Sequence, residues 1–265
     1  MNISQRAARL LEPDTHANPE EVHAIMDEMR RDEPLVWVEP NNVRPIWLAS
    51  KAEDVRFIET NSEKFIAGPR PALMTIDEEQ KNIELFGRAI GPMETLVSMD
   101  GEYHRSRRLI TQKWFAAKNL TTFGESIDKI ATQFLDRMAS LQPECDFAKD
   151  VAFLYPLRVI NSMMGLPEEL DDVILRLTQQ NFGASDDEVA NTGEEQMARL
   201  AAAIMEFQSL FEPIVADRRE NPRDDLATAL ANAEIDGERL PDHEIMGYML
   251  IVATAGHDTT SATTA

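Results

Sequence analysis

The chain has 265 residues, 43% of them apolar, enough to build the core of one large domain or two. Its 26 lysines and arginines stand against 47 aspartates and glutamates, a formal charge of −21 that argues against nucleic acid and anionic membrane surfaces as partners. The longest apolar run, near Met246 to Ala255, falls short of the roughly 20 residues that a spanning helix needs, residues 1–16 carry no apolar signal core, and the single Cys145 precludes an internal disulfide. These features predict a cytoplasmic protein.

Asn18-Pro19-Glu20-Glu21 opens the first clear helix, with Asn18 as cap, Pro19 at the first helical position and an apolar stripe of Val22, Ile25, Met26 and Met29. Leu35 to Val38 and Ile46 to Ala49 read as two short strands about Pro40-Asn41-Asn42, a small hairpin. Asp54 to Phe65 is helical again. From Phe65 to Met99, prolines 69, 71 and 92 and glycines 68, 87 and 91 leave room for one modest helix, Asp77 to Phe86, in a loop region of the kind that often carries function.

Met99-Asp100-Gly101-Glu102-Tyr103-His104-Arg105-Ser106-Arg107-Arg108 then runs on as a helix to Trp114-Phe115. His104 and Arg108, at i and i+4, share a face. The stripe reads either as a solvated basic helix or, in so acidic a chain, as an anion site in which the arginine fork suits a carboxylate.

Amphipathic helices come next. Ile127, Ile130, Ala131, Phe134, Leu135 and Met138 line one; Val151 to Met164 is apolar nearly throughout and stops at Gly165-Leu166-Pro167; Val173, Ile174 and Leu177 mark another, ending near Phe182-Gly183. A loop rich in Asp, Ser and Gly, residues 184–193, precedes a long helix through Met197, Leu200, Ala201, Ile204, Phe207, Leu210, Phe211 and Ile214, with Pro213 as a bend. Asp224 to Glu234 forms a short helix, Ile235 to Leu240 a turn or hairpin, and Pro241 starts the last helix.

That last helix holds the most chemistry. From Ile245 to Ala255 it is apolar nearly all round and reads as buried, yet Gly256, His257, Asp258, Thr259 and Thr260 come immediately after. A helical glycine costs about 1 kcal/mol relative to alanine, and a carboxylate taken from water needs partners. Two readings result. Either the helix ends at Gly256, with Asp258 or Thr259 capping a second element, or it is opened beside a ligand, Gly256 admitting a close approach and Asp258 and Thr259 handling protons.

Ala255-Gly256-His257-Asp258-Thr259-Thr260 resembles the Ala/Gly-Gly-x-Asp/Glu-Thr-Thr/Ser signature of the central helix of cytochrome P450 monooxygenases. His104, Arg108 and Phe115 match that family's His-x-x-x-Arg-(x6)-Phe segment, with Asp100-Gly101-Glu102 where Asp-Pro-Pro is usual. The order of elements is similar to the N-terminal half of the P450 fold over essentially the whole chain: mainly α, with a small early β-hairpin and a central buried helix. Glu144-Cys145-Asp146-Phe147, Tyr155-Pro156-Leu157-Arg158-Val159 and Leu177-Thr178-Gln179-Gln180-Asn181-Phe182-Gly183 look most like bacterial terpene hydroxylases.

The resemblance implies haem b as cofactor, its carboxylates held by His104 and Arg108 on the helix that leads to Phe115, with Ala255 and Gly256 crossing its oxygen-binding side. It implies that Thr259 holds a water by hydrogen bond and that Asp258 links it to solvent. A small apolar, terpenoid-like substrate would lie over Ala253, Ala255 and Gly256, roofed by the Pro71 to Leu96 region and the Phe182 to Gly193 loop. Dioxygen is the co-substrate, and electrons would come from a ferredoxin-type carrier docking at Arg105, Arg107 and Lys113.

On this resemblance residues 1–265 are one partial P450 domain. Ala265 falls inside the central helix, and the Glu-x-x-Arg helix and the haem loop with its cysteine ligand lie beyond it. Cys145 lacks the surroundings of that loop and reads as a small buried apolar residue. His243-Glu244 begins like a zinc-protease helix, but Gly247 stands where the second histidine should be. Two other classes stay open: a haem-free helical module that binds apolar molecules, and an inactive fragment with exposed core surface.

Overall fold

Asn2 opens the first helix by a reciprocal cap: its side chain accepts from the Gln5 N–H (2.8 Å) while the Gln5 side chain accepts from its own N–H (3.1 Å). The computed structural model describes residues 1–90, 93–112, 114–141, 143–182 and 193–265. They form two compact units, Met1–Pro92 with Val97–Glu102, and Met93–Leu96 with Tyr103–Ala265.

The first unit contains α1 (Ile3–Ala8), α2 (Pro13–His16), α3 (Pro19–Asp32), β1 (Leu35–Val38), β2 (Ile46–Ala49), α4 (Ala52–Thr60) and α5 (Ile76–Phe86). Asn18 caps α3 and Pro19 starts it, as expected. The two strands pair antiparallel from Leu35↔Ala49 to Val38↔Ile46. Strand alternation sends Val36 and Val38 into a small core with Ala7, Ile25 and Met29. Trp37 and Trp47, on the other face, meet at 5.3 Å between ring centroids.

α4 ends at Thr60, short of the expected Phe65. Asn61 leaves helical geometry and its side-chain amide donates to the Phe57 carbonyl (2.6 Å), replacing the next backbone bond. α5 runs from a capping box between Thr75 and Glu78 to Gly87, whose φ of +70° closes the helix. The loop around it is pinned. Buried Glu79 accepts from both Arg44 (2.6 and 3.1 Å) and Arg70 (2.9 and 2.5 Å), and Asp100 accepts from the N–H groups of Ala67 (2.8 Å) and Gly68 (2.7 Å).

α6 (Gly101–Gln112) enters the second unit at Tyr103 and stops before Trp114-Phe115. Then come α7 (Ala117–Ser140), a π-turn (Ala148–Ala152), α8 (Leu154–Met163), α9 (Asp171–Phe182), α10 (Gly193–Glu220), α11 (Leu226–Ala231), β3 (Glu234–Ile235), β4 (Glu238–Arg239) and α12 (Asp242–Thr264). Pro213 lies inside α10 without ending it. Asp225 caps α11 through the Thr228 N–H (2.7 Å), and Asp236 and Gly237, both at positive φ, turn β3 into β4.

The core of this unit joins α8 to α12. Leu157, Ile174, Phe207, Phe211, Leu226, Leu230, Ile245, Met249 and Ala253 are all nearly inaccessible, and Phe207 stacks on Phe211 at 4.3 Å. Each large side chain so buried contributes about 1.5–3 kcal/mol. Gly165, at φ +76°, stops α8, and a Cβ there would overlap Asp225, whose carboxylate binds the buried Arg218 (2.7 Å). Cys145 is exposed, not buried as expected. The expected loop over 184–193 lies outside the described residues except for Gly193. Among the described residues no helix is long and apolar enough to cross a membrane.

Candidate functional site

α12 is one unbroken helix through Gly256 to Thr264, so neither an end nor an opening occurs at Gly256. Its glycine serves packing. A Cβ at Gly256 would come within 2.7 Å of Ile160 Cδ1, so the bare backbone lets α8 lie close. Ala253, expected to line the pocket floor with Ala255, is fully buried among core side chains. Two residues along a helix turn about 200°, which puts Ala253 and Ala255 on opposite sides.

The second half of α12 is consequently two-faced. Ala253, His257 and Ser261, four residues apart, are buried, whereas Ala255, Asp258, Thr259 and Ala262 follow the complementary i, i+3, i+4, i+7 pattern and are exposed. The Thr259 hydroxyl donates to the Ala255 carbonyl (2.7 Å), leaving its oxygen lone pairs facing outward as acceptors.

His257 is not marked out by its sequence spacing, and it anchors this turn. It is 2% exposed; Nε2 donates to the Phe153 carbonyl at the head of α8 (2.8 Å) and Nδ1 lies 3.4 Å from the Thr178 hydroxyl on α9. Its place four residues from both Ala253 and Ser261 is the available signal for a buried position.

On α6, the structure separates the basic residues that the sequence leaves together. Arg107 is not part of a docking patch: its Nε and Nη2 bond both carboxylate oxygens of buried Glu244 at 2.8 and 3.1 Å. Lys113 lies outside the described residues. His104, half-buried, and Arg108, exposed, stand one turn apart, and among the described residues neither has a hydrogen-bond or ion-pair partner. In a chain of charge −21, two donor side chains on one stripe with no partner among the described residues are the kind of surface an anionic ligand takes.

Phe115 lies beyond the end of α6, edge-to-face with Trp114 at 5.2 Å. A surface groove of about 840 Å³ lined by Leu109, Ile110, Phe115 and Glu234 takes in Phe115 but none of the other expected site residues. Leu96 packs half-buried against the core of the second unit. Phe182 ends α9, and its side chain lies outside the described residues.

A flat, largely apolar macrocycle bearing carboxylates needs a helix face of small residues and cationic donors. The open face with Ala255 and Ala262 is of the first kind, and His104 and Arg108, without a hydrogen-bond or ion-pair partner among the described residues, are of the second.

No family model matches the sequence. Cytochrome P450-terp from a Pseudomonas species is 33% identical over 98% of this chain and 63% of its own length. The crystal structure of CYP108D1 from Novosphingobium aromaticivorans superposes with a TM-score of 0.84, at 34% identity, over 97% of this chain and 61% of that one. This chain belongs to the cytochrome P450 family. A steroid C26-monooxygenase of Mycolicibacterium smegmatis is 27% identical over 88% of the chain and 53% of its own length. The chain thus spans about half to six tenths of the P450 relatives it matches. Membership in the P450 family implies haem.

Proposed function

We propose that the whole protein is a haem-thiolate monooxygenase that inserts one atom of dioxygen into a small apolar, terpenoid-like substrate, residues 1–265 being part of its P450 domain. The observation that carries this reading is the two-faced turn of α12, which is pinned by His257 and Gly256 on one side and presents Ala255, Asp258 and Thr259 on the other.

Haem with a thiolate ligand, when bound, activates dioxygen. His104 and Arg108 would hold its carboxylates, and the small side chain of exposed Ala255 would allow it a close approach, while Gly256, on the α8 side, lets the helix pack there. The Thr259 hydroxyl directs its proton to the Ala255 carbonyl, so its oxygen accepts from a water and holds that water in place. Asp258, exposed one residue earlier, passes protons between that water and solvent.

The terpenoid class rests on the likeness of segments 144–147, 155–159 and 177–183 to terpene hydroxylases and on the 33% identity to P450-terp. Leu96 and Phe182 are proposed to border the substrate. A ferredoxin-type carrier and a cytoplasmic setting belong to the same reading. Of the three basic residues expected to dock that carrier, Arg105 is the described one that remains a candidate.

Thr259→Ala in the full-length protein tests the assignment. Substrate should still bind, as followed by the haem absorption shift, while the oxygen consumed emerges as hydrogen peroxide instead of product. Fully coupled product formation in the variant would refute the role of Thr259.

A further inference from the structure

α6 carries His104 and Arg108 but has little apolar anchorage: among its described residues only Thr111 is buried, with Ile110 half-buried against the core. A helix held so lightly by apolar contact needs something else to fix its position. The seam between α6 and α12 supplies it. Tyr103, Arg107 and Thr111, spaced i, i+4 and i+8, form one stripe of α6, and Glu244 and Tyr248, at i and i+4, form the facing stripe of α12.

Two rungs cross between these stripes. In the first, the Arg107 fork binds both oxygens of Glu244 (2.8 and 3.1 Å), the Tyr103 hydroxyl donates to Glu244 Oε1 (3.1 Å), and the Arg107 guanidinium lies 3.8 Å from the Tyr103 ring centre. In the second, the Thr111 and Tyr248 hydroxyls hydrogen-bond to each other.

The same Tyr103 proton is shared with the Glu94 carboxylate (3.3 Å), and a Cβ at Gly247 would overlap the Glu94 carbonyl oxygen, so the 93–96 segment is held against α12 at the same level. Burial and the two neighbouring glutamates push the Tyr103 hydroxyl up to about 12, which keeps it a donor. Burial alone would raise the Glu244 carboxyl, but Arg107 and Tyr103 outweigh it and hold the group ionised.

We infer that the Glu244–Arg107 pair is a register lock that positions His104 and Arg108 for the carboxylates they hold. The inference rests on the proposed haem role of those two residues. A bidentate pair allows little slip, and one residue of slip along α6 is about 1.5 Å, enough to break a hydrogen bond to a fixed carboxylate. His104 and Arg108 lie about 100° round α6 from Tyr103 and Arg107, so the lock sets their direction as well as their height. Arg107 and Glu244 are positioning residues in this scheme and touch no cofactor.

The test is the rate at which the full-length protein, loaded with haem, loses it to excess apomyoglobin, measured beside the urea midpoint. Arg107→Met with Glu244→Met removes both charges together. Replacing a buried ion pair by apolar side chains of similar volume is often neutral in stability, so the fold should hold while haem loss accelerates roughly tenfold.

In an Arg108→Ala background the same double change should add less than it does in the wild type, because His104 is then the one residue left for the pair to position. Haem loss at the wild-type rate in the double variant would overturn the inference while leaving the haem role intact if Arg108→Ala alone still loses haem. Additive effects in the Arg108→Ala background would also overturn it. A wild-type rate for Arg108→Ala would remove the haem role and the inference together. If the double variant fails to fold, Arg107→Lys, which keeps the charge and loses the fork, decides the matter: severalfold faster haem loss at an unchanged urea midpoint supports the lock, and wild-type retention overturns it.

Discussion

Three helical glycines should respond differently to the same substitution. In a helix interior, alanine gains about 1 kcal/mol over glycine through propensity alone. At Gly124, on α7, a Cβ would meet nothing within 4 Å among the described residues, so Gly124→Ala should stabilise by about that amount. At Gly256 the obstacle is Ile160 Cδ1 at 2.7 Å, the tip of a side chain that can swing at a cost of about 0.5–1.5 kcal/mol, which brings Gly256→Ala near neutrality. At Gly247 the obstacle is backbone. The new methyl would overlap the Glu94 carbonyl oxygen and sit 2.9 Å from its carbonyl carbon. Only a shift of the whole 93–96 segment away from α12 relieves it. Overpacking of this kind costs about 1–3 kcal/mol or more, and since the chain cannot rotate out of the way, Gly247→Ala should be net destabilising by about 2 kcal/mol, roughly 4–8 °C in melting temperature. Urea and thermal midpoints of the three variants measure this directly. If Gly247→Ala proves as stable as Gly124→Ala, the close approach of the 93–96 segment to α12 is wrong.

Glu79 is held down to about 2 by Arg70 and Arg44. A carboxylate depressed in the folded state contributes stability above its unfolded value near 4.5 and loses it as pH falls toward 2. Melting temperature should therefore fall across that window, and Glu79→Gln should flatten the fall; an unchanged slope would contradict the cluster. His257→Leu takes the donor from the Phe153 carbonyl and should cost about 1–3 kcal/mol, with His257→Gln recovering part of it; wild-type stability for the leucine variant would deny His257 its anchoring role. Arg108→Ala should speed haem loss from the full-length protein, and unaltered retention would return that stripe of α6 to a solvated role.

Much of the fold is legible in the sequence because its signals are local. Asn18-Pro19, the alternation of Leu35–Val38 and Ile46–Ala49, and Pro241 before a long apolar run each act within a few residues, and each marks an element where the structure has it. Helix ends are less legible, because single side chains decide them. Asn61 stops α4 through its own amide, and α6 stops at Gln112, before the aromatic pair that an apolar pattern alone would include.

The candidate site is legible as a set of residues and not as an arrangement. Motif spacing marks Ala255 to Thr260 and His104 with Arg108, but spacing cannot say which side of a helix faces the core when apolar and small residues surround it. Ala253, expected beside Ala255, is buried opposite it; Gly256, expected to face a ligand, makes room for Ile160.

The sequence by itself determined the family, the succession of elements and the chemistry available, since those follow from local pattern and residue type. Tertiary structure alone decided that Arg107 of α6 is spent on Glu244, and that His257 binds inward while Asp258 and Thr259 are exposed. Arg107 meets its partner Glu244 137 positions away, and His257 meets the Phe153 carbonyl 104 positions away. A charge or a hydrogen-bonding group is neutralised by whatever packing brings within about 3 Å, and no pattern of near neighbours carries that information.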